Sequence, residues 1–189
     1  MTQIVLDDAF PFDGDARAKR IASPSRDVAH VPDQPWLEIT IETKGTSWTA
    51  RLATEDPHGE ELLTAIRTTP NPDVVCAVAS GTAYAVRASD STGDSWIRLE
   101  PHSVRYSFPD TRRLQLILIG DTHVAAYKAP TAQDRLLELS WKTDRIRHGD
   151  LRLLEGSENG FRVAAWDGAI RDHRRFDIDL VTGSVEAVP

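Results

Sequence analysis

Short apolar runs folded back on themselves at glycine turns leave this chain little choice but antiparallel β structure. Leu37, Ile39 and Ile41 alternate with Glu38, Thr40 and Glu42, then Lys44-Gly45 leads into Trp48, Ala50 and Leu52 alternating with Thr49 and Arg51. Period-two alternation sends one set of side chains to a core and the other to water. Glycine supplies the positive φ of the tight turn between the two runs. The unit recurs as Val74 to Ala79 with Ala83 to Val86 around Gly81, and as Leu114 to Ile119 with His123 to Tyr127 around Gly120. A fourth copy runs from Leu151 to Leu154 and from Phe161 to Trp166, around Asn159-Gly160. The turn glycines 45, 81, 120 and 160 define a period near 40 residues, as blade-like or meander arrays of hairpins show.

Further strands are expected at Ser95 to Leu99, Val104 to Phe108, Leu136 to Trp141, Ile146 to His148, Phe176 to Leu180 and Val185 to Val188. One short helix is expected at 59–67, where Leu62, Leu63 and Ile66 form a helical stripe and Pro70 and Pro72 bar extension. The first 35 residues carry Pro11, Gly14, Pro24, Pro32 and Pro35, with a short apolar run at Ile4-Val5-Leu6. Proline removes a donor and fixes φ, so 1–35 reads as an irregular N-terminal arm laid on a single all-β domain at 36–189. The expected fold class is therefore all-β, with antiparallel hairpin repeats forming a sandwich, an open barrel or a small propeller-like domain.

Residues Gly81 to Trp96 resemble one blade of the quinoprotein-type β-propeller repeat: a glycine, an aromatic strand, a Thr-Gly turn and a tryptophan. Phe176 to Val185 has a similar strand, Thr-Gly, strand form, and the C-terminal half resembles uncharacterised bacterial proteins with an Asp-Leu-x-Thr-Gly stretch. The resemblance implies hairpin repeats. It carries over no residue that would hold a quinone, and no cofactor is expected.

Composition narrows the partners. The formal net charge is −7, and the acidity lies in residues 1–100, with 9 Lys or Arg against 16 Asp or Glu. Phosphate contacts need Lys and Arg, so nucleic acid is a poor partner. A basic protein partner is a better one. No apolar run approaches the roughly 18 to 20 residues that span a bilayer, so no membrane partner is expected. The N-terminus lacks the basic n-region and apolar core of a signal peptide, which makes cytoplasmic residence the default. Cys76, the single cysteine, sits in the apolar run Val74 to Val78 and reads as a small buried hydrophobe.

No phosphate-binding glycine loop, His-Glu-x-x-His or Gly-x-Ser-x-Gly occurs, so no catalytic residue and no metal ligand is assigned. Asp90 to Asp94 has the oxygen ligands of a calcium loop without its full acidic set, and reads as a plain turn. The candidate binding residues are Trp48, Trp96, Trp141, Trp166, Asp177 and Asp179. Tryptophans are stacking platforms for sugars or anchors for protein partners, and they also fill β cores. Asp177 and Asp179 lie two apart on one strand, roughly 7 Å from each other, within the range of paired glycosidase carboxylates. Arg174 and Arg175 stand by to neutralise them. Three functions stay open: a non-enzymatic protein-binding module such as an inhibitor or immunity-type factor, a carbohydrate-binding module or small carbohydrate-active enzyme, and a structural homodimer subunit joined through edge strands.

Overall fold

The structure, a computed structural model, describes residues 17–19, 26–29, 36–43, 46–53, 62–90, 92, 95–146 and 149–188. These residues form four four-stranded sheets, here I to IV in chain order. Sheet I contains β1 (Arg17–Lys19), β2 (Arg26–Ala29), β3 (Trp36–Thr43) and β4 (Thr46–Ala53), in the order β1-β3-β4-β2. Sheet II is the meander β5 (Ala65–Thr68), β6 (Val74–Ala79), β7 (Thr82–Arg87), β8 (Trp96–Leu99). Sheet III follows as β9 (Tyr106–Asp110), β10 (Gln115–Ile119), β11 (Val124–Lys128), β12 (Glu138–Lys142), and sheet IV as β13 (Arg152–Gly156), β14 (Gly160–Asp167), β15 (Asp172–Asp179), β16 (Val185–Val188). Every pairing is antiparallel except β2 with β4.

The sheets stack face to face, and strand parity shows it. Val74, Cys76 and Val78 of β6 enter one buried cluster with Leu116 and Leu118 of β10. Val75, Ala77 and Ala79 enter a second with Trp48, Ala50 and Leu52 of β4. The other parity of β10, Ile117 and Ile119, joins a third cluster with Phe161, Val163, Ala165 and Ile178 of sheet IV. Sheets II and III are thus covered on both faces, and their central strands are apolar at nearly every position, as doubly covered strands must be.

The first strands of sheets II and III are tied by Arg67 Nε donating to Ser107 Oγ at 3.0 Å. Phe108 of β9 meets Phe161 edge to face, with centroids 5.5 Å apart. The last strands are tied as well: Lys142 of β12 pairs with Glu100 beyond β8, and Trp141 Nε1 of β12 donates to Leu180 O. A groove of about 380 Å³ separates Trp96 and Ile97 of β8 from Leu136 and Leu137. Another, of about 460 Å³, lies beside Lys142 of β12, Phe176 of β15 and Val185 of β16. Successive four-stranded sheets packed face to face give the propeller-like member of the three expected arrangements, and no closed barrel forms among the described residues.

The structure corrects three local expectations. Ala65–Thr68 is strand β5, so the helix expected at 59–67 does not form there; residues 59–61 lie outside the described residues. Leu63 packs into the cluster between sheets II and III and Ile66 into the one between I and II. Their backbone completes the edge of β6, and β-branched Ile66 fits a strand well. Within the stretch expected to be an irregular arm, 17–19 and 26–29 are strands of sheet I. Ile4-Val5-Leu6 and the turn at Gly45 lie outside the described residues. Ile146 belongs to a connection rather than a strand, and its backbone N–H donates to Thr122 O. Gly160 turns the first hairpin of its sheet, whereas Gly81 and Gly120 turn central hairpins. The central turn of sheet IV is at 168–171.

Candidate functional site

Among the described residues sheet IV has one covered face, unlike sheets II and III. Phe161, Val163, Ala165 and Ile178 point to sheet III, so the opposite parity of the same strands faces outward. On that outer face the strand register sets up rows of side chains. One row reads Glu155, Arg162, Asp177, Glu186 from β13 to β16, and the next reads Arg152, Ala164, Arg175, Val188. Beyond them Trp166 stands opposite His173. A bulge between Leu153 and Glu155 resets β13 so that both its charged residues keep to this face.

Arg162 organises the first row. Its Nε and Nη2 donate to Oδ1 and Oδ2 of Asp177 at 2.7 and 2.9 Å, the bidentate fork that suits a carboxylate. Its Nη1 donates to Glu155 Oε1. The hydrogen bonds from Arg162 hold the Asp177 carboxyl below its usual range, and Asp177 in turn raises the guanidinium. Asp179 Oδ1 accepts from the backbone N–H groups of Val181 and Thr182 at 2.9 and 2.7 Å and from the Thr182 hydroxyl. The Thr182 N–H leads in lowering its pKa. A hollow of about 540 Å³ lies along this end of the face, lined by Glu155, Arg162, Asp177, Asp179 and Glu186 among others. Its four carboxylates and one guanidinium make it acidic. The other end carries Arg152 and Arg175.

The structure separates the expected binding residues. Trp48 and Trp141 are buried, and their indole N–H groups donate to Ala88 O and Leu180 O, each at 3.0 Å. Trp96 is half-buried against the cluster between sheets I and II, edge to face with Tyr84 at 5.8 Å. Trp166 is 42% exposed, with His173 edge-on at 5.3 Å. The turn beside it carries Ile170, 52% exposed, and is held by buried Asp167, which accepts from Ala169 N and pairs with Arg174 Nε at 2.6 Å. Trp166, Asp177 and Asp179 therefore share one surface, while Trp48, Trp96 and Trp141 sit between sheets.

The neutraliser of Asp177 is Arg162 across the strand pair; Arg174 is taken by Asp167 and Arg175 stands opposite Ala164. Sequence reading missed Arg162, Glu155, Arg152 and Glu186. The signal was present in the alternation of Arg162 with Phe161 and Val163, but only register places it against Asp177. Asp90 forms the expected turn, accepting from Thr92 N and Ser95 N, and these bonds with the two hydroxyls hold its carboxyl down to about 2. Among the described residues no three His, Cys, Asp or Glu side chains gather as metal ligands. No described helix is long and apolar enough to cross a membrane.

No protein-family model matches the chain, and no curated protein does. Among solved structures the chain is similar to the β-propeller domain of Cps50 (Swd1) from Myceliophteria thermophila, at 14% identity and a TM-score of 0.46 over 82% of this chain. The match spans about half of that domain, 53% of its length.

Proposed function

We propose that the chain is a non-enzymatic protein-interaction module that docks its partner on the outer face of sheet IV. The observation that supports this most is the face left uncovered among the described residues, in a fold where sheets II and III are covered on both sides. A rigid β surface with one exposed tryptophan, an adjacent aliphatic side chain and charges of both signs has the make-up of a protein contact. An inhibitor or immunity-type role follows if the bound protein is an enzyme.

The carbohydrate reading draws less support. A glycosidase acid needs a raised carboxyl pKa, and Asp177 and Asp179 both shift downward. A sugar platform needs a row of exposed rings, and among the described side chains Trp166 is the one tryptophan on this face.

The test is chemical cross-linking in the native cell, identification of the captured protein, and titration of the purified pair. Trp166→Ala is expected to weaken that pair at least about tenfold, the loss typical of an anchoring aromatic. A captured protein bound equally well by Trp166→Ala and by Arg175→Glu would overturn the assignment to this face.

A further inference from the structure

We propose that the outer face of sheet IV pairs with the same face of a second copy, in a two-fold homodimer whose strands run antiparallel across the interface. This rests on the docking reading above and names its occupant.

The inference comes from how charge is distributed over the rows. The row nearest the acidic hollow reads Glu155, Arg162, Asp177, Glu186, and the adjacent row reads Arg152, Ala164, Arg175, Val188. Successive rows on one face lie roughly 7 Å apart. Consider a two-fold axis lying in the plane of the contact, across the strands and between these two rows. It keeps each strand opposite its own counterpart and exchanges the rows. Glu155 then meets Arg152 of the partner subunit, and Asp177 meets Arg175 of the partner subunit. Arg162 faces Ala164 of the partner subunit, a small residue that leaves room for the guanidinium and its two carboxylates. Glu186 faces Val188 of the partner subunit at the edge. Each pairing occurs twice, as an isologous contact demands. A two-fold axis along the strands would instead set Glu155 on Glu186 of the partner subunit, acid on acid twice, so the pattern favours the antiparallel orientation.

Area sets the strength. Four strands about 4.8 Å apart and about six residues long on average offer about 400 Å² per copy. That is about 800 Å² in total, below the size of a stable assembly and in the range of a transient one. The dimer is accordingly weak and salt-sensitive, because its added contacts are exposed ion pairs.

The experiment is sedimentation of the full chain from micromolar to sub-millimolar concentration, at low and high salt. Wild type is expected to shift from monomer to dimer, with association weakened about tenfold by high salt as exposed charges are screened. Arg175→Glu alone and Asp177→Arg alone each place like charges together twice, and each should weaken association about tenfold or more. An equal mixture of the two, or the double variant, restores opposite charges and should recover wild-type association. Arg152→Glu with Glu155→Arg forms a second swap that leaves the bidentate Arg162–Asp177 fork in place, should the first disturb folding. A wild type that stays monomeric throughout overturns the dimer; the docking reading then stands or falls on its own cross-linking result. A dimer indifferent to both swaps overturns its assignment to this face.

Discussion

Sheets II and III and sheet IV share one strand plan, yet they spend their side chains differently. In β6 and β10 both parities are buried: Cys76 and Val78 face one neighbour while Ala77 faces another, and Leu118 and Ile117 divide in the same way. In β14 and β15 one parity is buried and the other is occupied by Arg162, Asp177 and Arg175. The same hydrogen-bonded meander therefore serves as filling when covered twice and as a chemical surface when covered once. Whether a strand reads as a continuous apolar run or as an alternation reports its place in the stack.

The comparison breaks most readily at the core. Leu118→Ala in β10 is expected to cost about 3 to 5 kcal/mol by cavity formation. Leu154→Ala in sheet IV, at a position 42% exposed, should cost less than about 0.5 kcal/mol. Urea unfolding of both variants reads the contrast; equal losses would mean that sheet IV is packed as tightly as sheet III.

A second effect sits on the seam between the two regions. Gly183 has φ +71°, and a Cβ there would lie 2.5 Å from Cε3 of Trp141. Gly183→Ala should cost about 2 kcal/mol through strain and overpacking and alter tryptophan emission. Unchanged stability and emission would mean that Trp141 is not clamped.

Cys76 tests the doubly covered interior. Burial pushes its thiol up to about 12. In the native state it should resist thiol reagents, and it should react promptly once the chain unfolds. Cys76→Ser places a hydroxyl there at a cost of about 1 to 3 kcal/mol. Fast labelling under native conditions would show that the interface between sheets II and III opens readily.

The smallest effect belongs to the surface carboxylates. The Arg162 hydrogen bonds hold the Asp177 carboxyl below the ordinary aspartate range, and the Ser95 and Thr92 hydroxyls hold Asp90 down to about 2. Their contribution to stability is fully present above the unfolded value and is lost as pH falls through the folded one. Carboxyl NMR titration should therefore find both still ionised at a pH where ordinary aspartates are half protonated. Arg162→Ala should return Asp177 to the ordinary range and leave Asp90 unmoved.

Much of this architecture was legible before any coordinates. The hairpins of sheets II and III follow from apolar runs around Gly81 and Gly120, and Phe176, Ile178 and Asp177 disclose a strand with one wet face. Strand β5 was not legible, because Leu62, Leu63 and Ile66 fit a helical stripe as well as two opposite sheet faces, and only the open edge of β6 decides between them. The site was legible in part. Trp166 and Asp177 were named, but Trp141 has the same local alternation as Trp166, and burial depends on whether another sheet follows on that side. Arg162 lies fifteen residues from Asp177, and no local pattern announces which cation a carboxylate meets across a strand pair.

The three buried clusters each join successive sheets in chain order. Cohesion in such an array travels from neighbour to neighbour. Loosening should therefore start at the singly covered end and advance inward. Backbone amides of β14 and β15 should exchange with deuterium well before those of β6 and β10, so that the array ravels sheet by sheet from sheet IV while its middle stays shut.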